Sequence, residues 1–267
     1  MRLWTAIGLL LLLPGCSGVG PSGFKPVNPI PAAEFSHHLF QETLAAHVKD
    51  GLVDYPAIET DDRFVGYLTR LDLVDPDAFA TRNGRMAFWI NAYNAFAIKG
   101  ILDGYSPVSY VGRYRYFIGR EYPVGGSTIT LYDLERQVLI RQFHEPLIHF
   151  AIVCASSSCP RLQPWAYQQR ELDRQLDHAA RAFINDPTRN RFDRKRKVAS
   201  LSKIFDWFEE DFAAAAGSTL AYVARYIGDP ELARDLVESE YRIEFLEYDW
   251  SLNGIPPKEV ARDGSPR

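Results

Sequence analysis

Residues 84–102, GRMAFWINAYNAFAIKGIL, decide how the rest of the chain is read. Trp89, Tyr93 and Phe96 recur at i, i+4 and i+7, which puts them on one face of a helix, and Gly104 and Pro107 lie just beyond its end. Upstream, Phe35, Leu39, Leu44 and Val48 mark an amphipathic helix that Gly51 ends, and Phe64, Tyr67, Leu68 and Leu71 mark a second. Downstream, residues 110–122 alternate aromatic and basic side chains and read as a half-buried strand. Thr130 is placed to cap a helix over LYDLERQVLI, residues 131–140. Residues 149–154, HFAIVC, read as a buried strand, residues 155–158 as a polar loop, and Cys159-Pro160 as a helix start. A helix over 172–184, a hairpin over 192–201, helices over 204–216 and 220–227 and a strand over 241–248 complete the pattern. No internal repeat appears. The expected fold is α+β (mixed α/β), a small central sheet surrounded by helices.

The N-terminus has a separate logic. Met1 and Arg2 precede an apolar run, residues 3–13, and then Pro14-Gly15-Cys16, which together read as a lipoprotein signal peptide with Cys16 as the lipidated residue. The run is too short to span a bilayer, and no window after residue 20 is apolar enough to do so. Ser17 resembles the outer-membrane retention pattern of Gram-negative lipoproteins, so the expected location is the outer membrane, facing the periplasm. Residues 16–33 have the Gly, Ser and Pro content of a flexible tether, and a single domain is expected over 34–267. A net charge of −4 offers no general attraction to nucleic acid. The basic run 189–197 reads as a solvated hairpin tip and is assigned no chemistry.

His144, His149, Cys154 and Cys159 recur every five residues. Neither a strand nor a helix gathers four ligands at that spacing, so no metal and no other cofactor is assigned. Two readings of the cysteines stay open. Cys154 and Cys159, the only cysteines after Cys16, are placed to form a disulfide in an oxidising compartment. Alternatively, Cys159 is a nucleophile at a helix N-terminus, with His149 as its general base and Glu135 as the carboxylate that orients the base. No serine-hydrolase elbow, phosphate loop or dinucleotide fingerprint is present.

VDYPAI (53–58), FWINAYNAFAIKGIL (88–102), LYDLE (131–135), HFAIVCASSSCPRL (149–162), SKIFDWFEEDF (202–212) and LEYDWSLN (246–253) together resemble the bacterial family catalogued as domain of unknown function 547. The family pattern includes the helix with Asn91, the Glu135 helix, the His149 segment and the Cys-Pro pair, so the resemblance adds Asn91 to the candidate site of Cys159, His149, Glu135 and Cys154. It implies no settled reaction. A weaker fold-level likeness links the chain to papain-like and transglutaminase-like thiol enzymes in a rearranged order, although the core helix holds no cysteine. The expected function is a membrane-anchored, cysteine-dependent hydrolase or acyltransferase acting on amide bonds of cell-envelope peptides or proteins. The alternative is a non-catalytic, disulfide-stabilised lipoprotein that binds a ligand or partner.

Overall fold

The hydroxyl of Thr81 accepts the N–H of Gly84 at 3.0 Å and so begins the central helix, Arg82–Leu102. The structure, a computed structural model, describes residues 25–257. The expected signal peptide, Cys16 and residues 16–24 of the expected tether lie outside the described residues. From Met86 to Ile98 every residue of the central helix is buried. A helix apolar on all sides belongs inside a core rather than on it, so the i, i+4, i+7 stripe read from the sequence understates its burial. Its polar members, Asn91 and Asn94, are 0% and 2% exposed.

The architecture is α+β, as the sequence implies, and among the described residues the strands are divided among three small sheets. Leu52–Asp54 pairs antiparallel with Val48–Lys49 and parallel with Gly254–Ile255. Glu121–Val124 and Ser127–Thr130 form a hairpin. Val198–Leu201 pairs antiparallel with Arg191–Asp193 and parallel with Arg242–Phe245. The helices at His38–His47, Asp62–Asp72 and Leu172–Ile184 fall where the apolar spacing puts them.

Four local expectations are corrected. Residues 110–122 are not one strand: Tyr110–Phe117 is a helix capped by Ser109, whose oxygen accepts the Gly112 N–H at 3.0 Å. Of its aromatic residues Tyr116 is fully buried while Tyr110 and Tyr114 are exposed, so the alternation did not mark two sheet faces. Residues 149–154 are not a strand either. Pro146–Phe150 is a 3-10 helix with proline in its first turn and Glu145 as its cap, and the chain then runs irregularly to Cys154. Cys159-Pro160 begins no helix. Finally, Ile30, inside the expected tether, donates its N–H to Leu73 and forms a bridge with Val74, so the chain meets the domain before residue 34.

Among the described residues two hydrophobic clusters result. One surrounds the central helix, and the second is built from Phe150, Phe183, Phe205, Phe212 and Tyr222. Leu147 and Tyr248 pack against both, which places the segments carrying His149 and the two cysteines at the seam. Each fully buried large apolar side chain stabilises the fold by roughly 1.5–3 kcal/mol relative to an exposed one, so the seam is held on both sides.

Candidate functional site

The segment leading to Cys154 has no sheet ladder, so its backbone is satisfied by side chains. Asn94 does this from the central helix: its Nδ2 donates to the Ala151 carbonyl at 2.9 Å, and its Oδ1 accepts the Val153 N–H at 2.8 Å. One turn earlier, Asn91 makes the same two-way clamp on the backbone of Tyr167, at 2.8 and 2.9 Å. Asn91 is therefore occupied as a brace, away from the lining of the cavity described below. Asn94 is not among the candidate residues of the sequence, and the signal that finds it is a pair of asparagines inside an otherwise apolar helical run, which need buried backbone partners.

Residues 155–158 hold the next turn. Ser157 and Ser158 donate backbone N–H groups to Ser251 and Asp249, and Asn253 donates to Ala155, so the turn is stitched to the 246–253 segment. Arg189 closes it from the other side. Its guanidinium donates to the Ser157 carbonyl at 2.9 Å, to the Cys159 carbonyl at 2.8 and 3.0 Å, and to Asp186 at 3.0 Å. The expected basic hairpin tip is thus corrected at its first residue: Arg189 is only 13% exposed and is structural. Lys197, at the other end, pairs with Asp235.

Cys154 and Cys159 are joined as a disulfide. Cys154 is half-buried and Cys159 is 2% exposed. The backbone N–H of Cys154 donates to Cys159 Sγ at 3.0 Å. The Tyr248 hydroxyl lies 3.2 Å from Cys154 Sγ and 3.1 Å from Cys159 Sγ, and the Ser156 hydroxyl lies 3.1 and 3.2 Å from them. Burial pushes the Tyr248 phenol well up, so it stays a neutral donor. In this paired state neither sulfur is a free nucleophile.

The bridge forms part of the wall of a cavity of about 430 Å³. Glu135 and His149 line the same cavity, with Trp207, Phe208, Tyr248 and Trp250 among its aromatic walls. Glu135 sits on a π-helical stretch, Leu134–Ile140, which changes the direction in which a helical side chain points. Its Oε2 accepts the Tyr93 hydroxyl at 3.2 Å, and Arg136 Nε lies 3.6 Å from its Oε1. Burial raises its pKa, and Arg136, His149 and Tyr93 partly offset that.

The carboxylate on His149 is Asp211. His149 Nε2 and Asp211 Oδ2 are 2.8 Å apart, and the ring stacks on Phe208 with centroids 3.9 Å apart. The hydrogen bond to His149 lowers the Asp211 pKa. His149 is 3% exposed, and its Nδ1 is buried without a hydrogen-bond partner. The carboxylate hydrogen-bonded to His149 is thus Asp211, in SKIFDWFEEDF, and not Glu135. His144 ends the Arg141–Phe143 helix in a left-handed conformation, φ 46°. Among the described residues no three His, Cys, Asp or Glu side chains are grouped to hold a metal ion.

The site so assembled runs from the central helix through Glu135 and His149 to the disulfide. Residues 77–184 match the model of a family described as protein of unknown function, DUF547. This supports the DUF547 resemblance read from the sequence motifs. The match spans Asn91, Asn94, Glu135, His149 and both bridged cysteines, whereas Asp211 and Tyr248, which complete their surroundings, lie beyond it. No curated protein and no solved structure matches the chain.

Proposed function

We propose that this DUF547-like chain is a periplasm-facing envelope lipoprotein, anchored to the outer membrane through Cys16, whose aromatic cavity binds a cell-envelope peptide or a ligand of similar amphipathic character. The observation that carries this reading is the cavity itself. A space of about 430 Å³ with aromatic walls and a few converging polar groups, here Glu135, His149 and Arg113, has the make-up of a small-molecule or peptide site. The bridged cysteines support binding over catalysis in the oxidised compartment expected of the lipoprotein signal.

The test uses anilinonaphthalene sulfonate as an aromatic probe, with short envelope stem peptides as competitors. Saturable fluorescence enhancement by the folded, oxidised protein, lost in Trp207→Ala and reversed by the peptides, is expected. Enhancement that is absent, or unchanged in the Trp207 variant, removes the cavity reading. The anchor is tested apart from it: Cys16→Ser should release the protein from the membrane fraction or block its processing, and unchanged fractionation removes the lipoprotein reading.

A second reading is favoured by one specific observation. Cys154, Cys159, His149 and Glu135 line one cavity, and His149 has one nitrogen on a carboxylate and the other unshared, which is the wiring of a general base beside a thiol. On this reading the reduced protein is a cysteine-dependent hydrolase or acyltransferase acting on amide bonds. It requires an opened bridge. Turnover of a chromogenic peptide anilide, an amide substrate, by reduced but not oxidised protein supports it, and equal inactivity of both forms removes it.

A further inference from the structure

The two sulfurs of the bridge are unequal. Both sulfurs belong to residues that line the cavity, but Cys154 is half-buried, so a small thiol entering there meets it first. Cys159 is 2% exposed, and its sulfur is the one that takes a backbone N–H, from Cys154 at 3.0 Å. That amide donor is fixed by the chain. The Tyr248 and Ser156 hydroxyls, at 3.1 and 3.2 Å, stand as near to Cys154 Sγ and serve either thiolate, whereas the Arg189 guanidinium sits on the carbonyl of Cys159 itself. Hydrogen bonds and nearby positive charge favour the anionic form of a group, and a thiol that is acidic for these reasons is the better leaving group in exchange.

We propose that the Cys154–Cys159 pair is a thiol–disulfide exchange site, in which a reducing dithiol attacks Cys154 and Cys159 leaves as the stabilised thiolate. In the first step a donor thiolate forms a bond to Cys154 Sγ. The Cys154–Cys159 bond breaks, and its electron pair goes to Cys159 Sγ, where the Cys154 N–H and a hydroxyl receive it. In the second step the donor's other thiolate attacks the donor sulfur of the mixed disulfide. The donor closes to its own disulfide, and Cys154 leaves as a thiolate that takes a proton from water. The donor is oxidised by two electrons and the protein pair is reduced by two. The step needs a dithiol and nothing else.

This goes beyond ligand binding. It makes the cavity wall a redox-sensitive surface whose reduced form presents a thiolate in the cavity that His149 and Glu135 also line. Its readout is the sulfur chemistry alone, so probe binding can fail while exchange succeeds, or the reverse.

The experiment begins with folded, oxidised protein and a graded ratio of reduced to oxidised glutathione, quenched in acid and mapped by mass spectrometry. Glutathione should be found on Cys154, and the bridge should open in millimolar dithiothreitol with an unchanged far-UV spectrum. An adduct predominantly on Cys159, or a bridge that opens only when the protein unfolds, overturns the proposal. In Cys154→Ser, which keeps the backbone donor, the pH midpoint of Cys159 alkylation should lie below that of a free thiol, and adding Tyr248→Phe should move it up. A midpoint at or above the free-thiol value overturns the leaving-group assignment. Should the Cys154→Ser variant fail to fold, the glutathione map on the unmodified chain decides alone.

Discussion

His149 shares one ring nitrogen with Asp211 at 2.8 Å and keeps the other buried with no partner. The arrangement selects the tautomer of the neutral ring: an ionised carboxylate accepts, so Nε2 is the nitrogen that carries the proton in that form. It also links the Pro146–Phe150 turn to the Glu209–Ala216 helix across the seam. Asp211→Asn should cost about 1 kcal/mol, a modest figure because the side chain is a third exposed and the pair is partly screened. The sign of the pH effect follows from the depressed Asp211 pKa. Its contribution is present above the unfolded carboxylate pKa and is lost as pH falls through the folded value. Urea midpoints should separate wild type from variant at neutral pH and converge in acid. A gap that widens in acid would contradict the pairing.

The basic run makes opposite predictions at its two ends. Arg189→Ala leaves the carbonyls of Ser157 and Cys159 without their donor and should cost roughly 3 kcal/mol. Arg189→Lys should recover only part, because an ammonium cannot reproduce the fork that serves two carbonyls and Asp186 together. At the tip, Arg194 lies 3.6 to 3.9 Å from Glu231, Asp229 and Asp235 and is half-exposed. Replacing Arg194, Lys195 and Arg196 together by Ser should shift stability by no more than about 0.5 kcal/mol. Thermal unfolding of the three proteins ranks them, and a tip variant as damaged as Arg189→Ala would place the turn wrongly.

These two ends show what the sequence could and could not tell. Periodicity located the long helices because burial and helical spacing coincide in them, as at Leu172–Ile184. It failed where side chains, rather than a ladder, satisfy the backbone. HFAIVC is apolar like a buried strand, yet its later residues are held by Asn94, fifty-nine positions away in sequence at Val153. Nothing local in HFAIVC reveals that partner. Pro230–Glu238 was missed although Asp229-Pro230 is a legible start, with Asp229 accepting the Glu231 and Leu232 N–H groups. At the site, Glu135, His149, Cys154 and Cys159 line one cavity, but Asp211 reaches His149 from 62 positions away and Tyr248 reaches Cys154 from 94. Such long-range partners leave no mark on residue spacing.

Acid sensitivity should also arise far from the site, at His37. This side chain is 7% exposed, shares a hydrogen bond with the Tyr67 hydroxyl at 2.8 Å, and has its pKa lowered to about 3 by burial. The folded state therefore keeps it neutral while the unfolded chain takes up a proton below the ordinary histidine pKa. Stability should be whole above about pH 6.5 and fall progressively as pH drops toward 3, by roughly 4 kcal/mol in total. His37→Gln, which does not titrate, should lower stability at neutral pH but flatten the dependence between pH 4 and about 6.5. An equally steep slope in the variant would show that His37 stays accessible to protons in the native state.

Gly254 tests whether the small sheet at the C-terminal end supports the bridge. It pairs in parallel with Val53, and a Cβ there would lie 2.0 Å from the Val53 carbonyl oxygen and 2.8 Å from its backbone N. Backbone cannot swing aside as a side chain can, so Gly254→Ala must separate the two strands and should cost roughly 3 kcal/mol. The neighbouring Asn253 accepts the Tyr55 hydroxyl at 2.7 Å and donates its N–H to Ala155. Strand separation therefore loosens the turn that holds Cys154 and Cys159, and dithiothreitol should open the bridge several-fold faster than in wild type. Gly217→Ala is the control. Its φ is +86°, but nothing lies within 4 Å of the added Cβ, so it carries only the conformational cost of a left-handed residue, about 1 kcal/mol. It should leave the rate of bridge opening unchanged. If both variants open the bridge at the same rate, general destabilisation accounts for the effect and the strand pair does not brace the site. If Gly254→Ala alone accelerates it, the chain around residue 254 is a mechanical part of the cavity wall.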